Sequence, residues 1–108
     1  MVAVCKSENP VGIDIEKIDG TRNFEKIANR YFHGKEKEFF NENPTADAFY
    51  EIWTKKEAYI KCHGLTLKEL KNTNASHIHT FQKGEYIISV CSECEKSKLI
   101  VLENFNNI

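Results

Sequence analysis

The chain is organised around one uninterrupted stretch, FYEIWTKKEAYIK, which runs from Phe49 to Lys61. The stretch contains neither Gly nor Pro, and Gly64 follows it where a glycine commonly ends a helix. It therefore predicts a long helix. At helical spacing, Trp53, Glu57 and Lys61 follow one another at i, i+4 and i+8 along one side.

Glu57 shares its stripe of this helix with the apolar side chains of Phe49, Trp53 and Ile60. A carboxylate beside such side chains loses part of its hydration and is more stable with a cation nearby. The alternative is an ordinary surface pair between Glu57 and Lys61, which stabilises a helix by only about 0.2–0.5 kcal/mol. A second acidic segment elsewhere in the chain favours a shared site.

That second segment is VGIDIE, a predicted strand from Val11 to Glu16. Because side chains alternate along a strand, Asp14 and Glu16 point to the same face, with Cα atoms roughly 7 Å apart. Two carboxylates so placed repel each other unless a cation lies between them. Oxygen ligands of this kind suit Mg²⁺, which also accepts phosphate oxygens. A solvated strand face without a ligand is the alternative.

The composition predicts one globular domain over residues 1–108. Charged residues make up 29% and apolar residues 41%, a balance typical of a folded chain rather than a disordered one. The formal net charge of -1 does not indicate the excess of basic residues that is typical of nucleic-acid-binding proteins. No apolar run approaches the ~20 residues that span a bilayer, and no signal-peptide pattern is present, so we expect a cytoplasmic protein without a membrane partner.

Four cysteines are scattered along the chain: Cys5, Cys62, Cys91 and Cys94. Their spacing is typical of reduced thiols in a cytoplasmic protein rather than of a disulfide framework. The last two form a lone CxxC with no second pair at zinc-ligand spacing, so this pattern alone does not predict a metal site.

Strand patterns flank the helical part of the chain on both sides. The predicted strands cover residues 2–5, 11–16, 77–81, 86–90 and 98–102. We expect the first two strands to form one hairpin, and the third and fourth to form another around Gly84.

Three helices are predicted between the second and third strands. Apolar residues recur at helical spacing over residues 24–32, which predicts an amphipathic helix that Gly34 ends. A short helix over residues 35–41 and the long helix after Pro44 follow. The order β-β-α-α-α-β-β-β predicts an α+β fold in which an antiparallel sheet packs against the long helix.

The two acidic segments together resemble the paired signature of the 4′-phosphopantetheinyl transferases. The family pattern is a G-[IV]-D-x-E strand followed by a W-[ST]-x-K-E-A-x-x-K helix. In this chain the first motif runs from Gly12 to Glu16 and the second from Trp53 to Lys61. The Trp-containing helix resembles that of the long, two-lobed class, which serves peptide and polyketide synthases and lysine biosynthesis.

The resemblance implies a phosphopantetheinyl transferase-like lobe. Such enzymes transfer 4′-phosphopantetheine from coenzyme A to a serine of an acyl or peptidyl carrier protein, and they require Mg²⁺. Carried over to this sequence, the metal ligands are Asp14, Glu16 and Glu57, and Glu57 is also the expected base for the serine. Lys61, which closes the second motif, is the expected catalytic contact to the phosphates of coenzyme A.

The chain also departs from the long class. Too few residues precede Gly12 to hold a preceding lobe with its His-Ser motif. After the helix, Thr66 stands where the family often has the second Gly of K-x-x-G-x-G-L. We therefore expect residues 1–108 to be the C-terminal half of a long-class enzyme, with its metal site but without the nucleotide end of the substrate pocket.

These features are compatible with more than one class of protein. The chain can be an Mg²⁺-dependent transferase that works as a homo-oligomer, either a dimer or a trimer, in which another copy supplies the missing surface. It can instead be a non-catalytic lobe that binds carrier protein or coenzyme A and needs a separate N-terminal partner. The third alternative is an unrelated α+β module whose acidic strand and helix never meet.

Overall fold

The computed structural model describes residues 2–6, 11–66, 78–92 and 98–102. Within these ranges the elements are β1 (Val2–Lys6), β2 (Val11–Lys17), α1 (Phe24–Tyr31), α2 (Gly34–Glu42), α3 (Ala46–His63), β3 (Ile78–Lys83), β4 (Tyr86–Ser92) and β5 (Lys98–Leu102). The predicted order of elements and the α+β class are confirmed. Residue 77, the first of the third predicted strand, and Cys94 of the CxxC lie outside the described residues.

The described strands form two antiparallel sheets. One sheet has the strand order β2-β4-β3, and the other pairs β1 with β5. The hairpin predicted around Gly84 is confirmed, but the one predicted between β1 and β2 is wrong because β1 pairs with β5, from Val2 opposite Leu102 to Lys6 opposite Lys98. The strand β5 matches β1 in length and pairs with it along all five residues, so β5 satisfies the backbone groups of β1 on that edge.

Gly34 begins α2 and does not end α1, contrary to the prediction from its glycine character. The helix α1 ends earlier, at Tyr31, because Phe32 turns to an extended conformation that buries its side chain. The next residue, His33, precedes α2, and its backbone N–H donates to the Glu36 carboxylate at 3.2 Å. Gly34 has φ +57°, which suits a chain that reverses between two helices.

Helix α3 has the ends that its sequence predicts. The Thr45 hydroxyl accepts a hydrogen bond from the backbone N–H of Ala48 and caps the first turn. Gly64 closes the last turn in the left-handed conformation, with φ +64°. Both ends of α3 are therefore set by residues that lie beside it in the sequence.

The N-terminal half of α3 is held by an aromatic cluster centred on Phe49. This residue is fully buried, and the rings of Phe24, Phe32 and Trp53 have centroids 4.7, 5.4 and 5.9 Å from its own. Aromatic pairs at such separations contribute about 0.5–1.5 kcal/mol each beyond the burial of their surface. The cluster therefore anchors α3 to α1 and leaves the other half of α3 to pack on the sheet.

The C-terminal half of α3 crosses β2 at very close range. A Cβ atom placed on Gly12 would overlap the carbonyl oxygen of Ala58 and lie 2.5 Å from the backbone nitrogen of Cys62. Gly12 lies on the same face of β2 as Asp14 and Glu16. The acidic face of the strand is therefore turned towards the helix and is not a fully solvated surface.

Candidate functional site

The two acidic motifs meet where α3 packs on β2. Asp14 is buried, with a relative exposure of 6%, and its Oδ1 accepts a hydrogen bond from Nζ of Lys61 at 3.0 Å. The same ammonium donates to the carbonyl oxygen of Ile13 at 3.2 Å. The structure therefore excludes the alternative in which the acidic strand and the helix never meet.

The second carboxylate oxygen of Asp14, Oδ2, is buried and has no hydrogen-bond partner among the described residues. Leaving a buried carboxylate oxygen unsatisfied costs free energy, so such atoms are rare in folded proteins and commonly mark a functional position. An oxygen of this kind beside other carboxylates is well suited to bind a cation.

The carboxyl groups of Asp14, Glu16 and Glu57 all have pKa values above their ordinary range. Burial raises the pKa of Asp14, although the hydrogen bond and charge of Lys61 oppose the rise. Burial and then the charge of Asp14 raise the pKa of Glu16, with a further upward contribution from Glu57. Burial and then the charge of Asp14 raise the pKa of Glu57. Glu16 and Glu57 therefore both feel the charge of Asp14, which places the three carboxyl groups in one region.

The three carboxylates are loosely grouped. Within the part of the chain that the structure describes, the three potential metal ligands with atoms all within 4.8 Å of one another are Cys62, His63 and Cys91, and no acidic side chain belongs to that group. The carboxylates repel one another because they carry like charges, and the positive charge of Lys61 compensates the negative charge of Asp14. The side chain of Lys61 remains 51% exposed, so its ammonium can also reach a ligand from solvent.

A chain of hydroxyl groups holds the helix against the sheet beside Asp14. Ser89 lies opposite Asp14 in the pairing of β2 with β4, and its Oγ is 2.7 Å from the hydroxyl oxygens of Thr54 and Thr80. Thr54 donates its own proton to the carbonyl oxygen of Tyr50 at 2.7 Å, so Ser89 donates to Thr54 and Thr80 donates to Ser89. These hydrogen bonds hold α3, β4 and β3 together next to Asp14.

Lys56, inside the second motif, has a role that pattern reasoning missed. Its side chain is only 1% exposed, and its Nζ lies 2.6 Å from Oε2 of Glu36 on α2. The pair ties α2 to α3. The sequence shows a lysine next to Glu57, but it does not show that this lysine pairs with Glu36. The two residues lie 20 positions apart, and no local spacing predicts their contact.

The fold and the site define an α+β lobe in which an acidic strand packs against a helix that carries Glu57 and Lys61. The family model of the 4′-phosphopantetheinyl transferase superfamily matches residues 10–105. The chain belongs to this superfamily.

Two curated relatives match part of the chain. The chain is 43% identical over 65 residues to the 4′-phosphopantetheinyl transferase gsp of Aneurinibacillus migulanus, and the match covers 56% of the chain and 27% of the relative. It is 34% identical over 64 residues to the 4′-phosphopantetheinyl transferase HetI of Nostoc sp. (strain PCC 7120 / SAG 25.82 / UTEX 2576), with the same coverage of 56% and 27%. The matched segment therefore covers only about a quarter of the length of each relative. No solved structure matches it significantly.

None of the helices in the described part of the chain has the length and apolarity that crossing a membrane requires.

The raised carboxyl pKa values predict how stability depends on pH in a chelating buffer. The native groups hold protons more tightly than the unfolded chain, where the values are 3.8 for Asp and 4.5 for Glu. The folded state thus binds more protons, and this contribution to the free energy of unfolding falls as pH rises from the unfolded values through the native ones. Urea unfolding at a series of pH values measures the fall.

Glu16→Gln provides the control for this pH dependence, because it removes one of the three groups. We expect the variant to lose less stability than the wild type over the same rise in pH. Taking the difference between the two proteins also removes the contributions of unrelated groups to the pH dependence. One such group is Asp19, whose pKa is lowered by hydrogen bonds from Thr21. Equal slopes for both proteins would contradict a raised pKa at Glu16.

Proposed function

We propose that this chain transfers 4′-phosphopantetheine from coenzyme A to a serine of an acyl or peptidyl carrier protein, with Mg²⁺ held by Asp14, Glu16 and Glu57. The observation that carries the proposal is the 3.0 Å contact between Lys61 and Asp14, because it brings two motifs from separate parts of the chain into one site. Membership of the superfamily supports the type of reaction.

The residues present fit a divalent cation. The buried, unsatisfied Oδ2 of Asp14 and the raised pKa values of the neighbouring carboxyl groups are both relieved when a cation is bound. Oxygen-only donors favour Mg²⁺ over softer metals. When bound, Mg²⁺ would neutralise charge on the phosphate oxygens during phosphoryl transfer.

The reaction replaces one phosphorus–oxygen bond with another. The serine oxygen forms a bond to the phosphorus that carries pantetheine, and the bond from this phosphorus to the bridging oxygen breaks, releasing 3′,5′-ADP. Glu57 accepts the proton of the serine hydroxyl, and the rise in its pKa, caused by burial and then by the charge of Asp14, makes it a stronger base. Lys61 turns from Asp14 towards the phosphates and offsets their charge.

Lys61→Ala should weaken coenzyme A binding and leave Mg²⁺ binding largely intact. The lost hydrogen bond to a charged group is worth about 1.5–3 kcal/mol, which corresponds to a loss of roughly 10- to 150-fold in affinity. Calorimetric titrations with Mg²⁺ and with coenzyme A measure both quantities. Lys55→Ala is the matched control, since Lys55 pairs with Glu51 at 3.4 Å on the same helix. An equal loss of both affinities would show that Lys61 serves Asp14 and not the phosphates.

The direct test of the function is a transfer assay with the purified chain. The chain is incubated with apo carrier protein, coenzyme A and Mg²⁺, and the mass of the carrier protein is measured by mass spectrometry. We expect the added mass of one phosphopantetheine group, which should be absent with a chelator and with a carrier protein whose acceptor serine is replaced by alanine. No mass gain under any of these conditions would refute turnover by the chain alone.

The match to 27% of each relative favours a second candidate function. Under it, residues 1–108 form one lobe that binds coenzyme A or carrier protein and needs a separate N-terminal partner for turnover. A homodimer or homotrimer could supply the missing surface under the first function but is not needed under the second. Sedimentation of the purified chain, with the transfer assay run across the same concentrations, separates the two: activity that rises with the oligomer supports self-association, and binding by an inactive monomer supports the single lobe.

A further inference from the structure

A second group of side chains that are able to bind a metal ion lies at the C-terminal end of α3, outside the acidic site. Cys62 and His63 are the last residues of the helix, and Cys91 lies on β4 opposite Gly12. Their sulfur and nitrogen ligand atoms all lie within 4.8 Å of one another. Both cysteines are in the thiol form.

The distances between these atoms are close to those of a metal site. Zinc bonds to thiolate sulfur at about 2.3 Å in tetrahedral geometry, which places two ligand sulfurs roughly 3.8 Å apart. The ligand atoms, which are at most 4.8 Å apart, therefore need to approach one another by no more than about 1 Å to bind the metal. Small rotations of side chains achieve this, so α3 and β4 need not separate or slide.

The surroundings of the three side chains also favour a cation. Cys62 and Cys91 are buried in an apolar cluster with Ala58, where a thiolate pair needs a positive partner. The C-terminal end of a helix carries partial negative charge, which stabilises a cation. The ring of Tyr59 lies 4.3 Å from that of His63 and restricts how the imidazole can turn.

We propose that Cys62, His63 and Cys91 bind a thiophilic divalent metal ion, Zn²⁺ first among them, and clamp α3 to β4. Two sulfurs and one imidazole form a donor set that Zn²⁺ accepts and Mg²⁺ does not. On binding, the two thiols release their protons to solvent, and His63 coordinates through a neutral imidazole. Because His63 is exposed and both cysteines are buried, a fourth position remains open towards solvent. The clamp stabilises the folded state because the unfolded chain does not hold the three ligands together.

Cobalt is the probe that tests this site, since Co²⁺ replaces Zn²⁺ and shows a sulfur-to-metal absorption band only when thiolates coordinate it. The reduced, metal-free full chain should bind one Co²⁺ with such a band, and added Zn²⁺ should abolish it. Cys62→Ser and Cys91→Ser should lose the band, whereas Cys5→Ser, a change on β1, should keep it. His63→Gln changes an exposed side chain, so the variant should fold, keep a shifted band and bind Co²⁺ more weakly than the wild type by at least about tenfold.

The outcome does not depend on the proposed transferase function. Asp14→Asn should leave the sulfur band unchanged because oxygen ligands produce none, while it should weaken Mg²⁺ binding at the acidic site. Absence of the band in the wild type would overturn the proposal, as would its full retention in His63→Gln or in both serine variants. Formation of a disulfide between Cys62 and Cys91 in air, with no metal uptake by the reduced chain, would also overturn it.

Discussion

Glu57→Gln is expected to leave the protein folded, to weaken Mg²⁺ binding and to reduce transfer by about 10²–10⁴-fold or more. Glutamine keeps the shape of the side chain but removes its negative charge and the oxygen that accepts the serine proton. Burial and the charge of Asp14 already make the ionised form of Glu57 unfavourable. Its removal relieves repulsion around Asp14, so the melting temperature in a chelating buffer should stay level or rise. Calorimetry with Mg²⁺, the transfer assay and a melting curve measure the three quantities.

Glu51→Gln is the matched control for this prediction. Glu51 lies on the same helix, but it forms a partly exposed i,i+4 pair with Lys55, and such helix pairs contribute only about 0.3–0.5 kcal/mol. We expect unchanged Mg²⁺ affinity and transfer for this variant. If Glu57→Gln instead unfolds the protein while Mg²⁺ affinity stays the same, Glu57 is a structural residue and the proposed metal site fails.

The elements were predictable from sequence where a local signal determines them. Gly64 ends α3 and Gly84 turns the hairpin of β3 and β4, and both adopt positive φ values that glycine allows without strain. Gly34 gave an ambiguous signal, because a glycine between two helices can end the first or begin the second. The partner of β1 was not predictable, since pairing with β5 joins the two ends of the described chain and leaves no local trace.

The same distinction applies to the side-chain clusters. The faces of β2 and α3 followed from their periods, and the family resemblance joined Asp14 to Glu57 and Lys61. Periodicity alone does not state that strand and helix touch. The structure supplies that contact, and with it two groups that no motif indicated: the buried ion pair of Lys56 and the cysteines brought together across α3 and β4.

The close packing of α3 on β2 depends on Gly12 having no side chain. Its φ is not among the positive values found for other glycines, so an alanine at this position would not strain the local backbone. The obstacle is the helix backbone, at the carbonyl of Ala58 and the nitrogen of Cys62. Hydrogen-bonded backbone atoms of a helix cannot move aside as the end of a flexible side chain can. The helix as a whole must shift away from the strand.

Gly12→Ala is therefore expected to destabilise the protein by about 3 kcal/mol or more, at the upper end of the cost of overpacking a core. Chemical denaturation of both proteins measures the loss. Gly20→Ala is the control, because a Cβ there meets nothing within 4 Å, and its effect should stay within about 0.5 kcal/mol. Where Gly12→Ala still folds, the displaced helix should carry Lys61 away from Asp14 and weaken binding of Mg²⁺ and coenzyme A. Equal stability of the two variants would show that α3 does not pack on β2 at the observed distance.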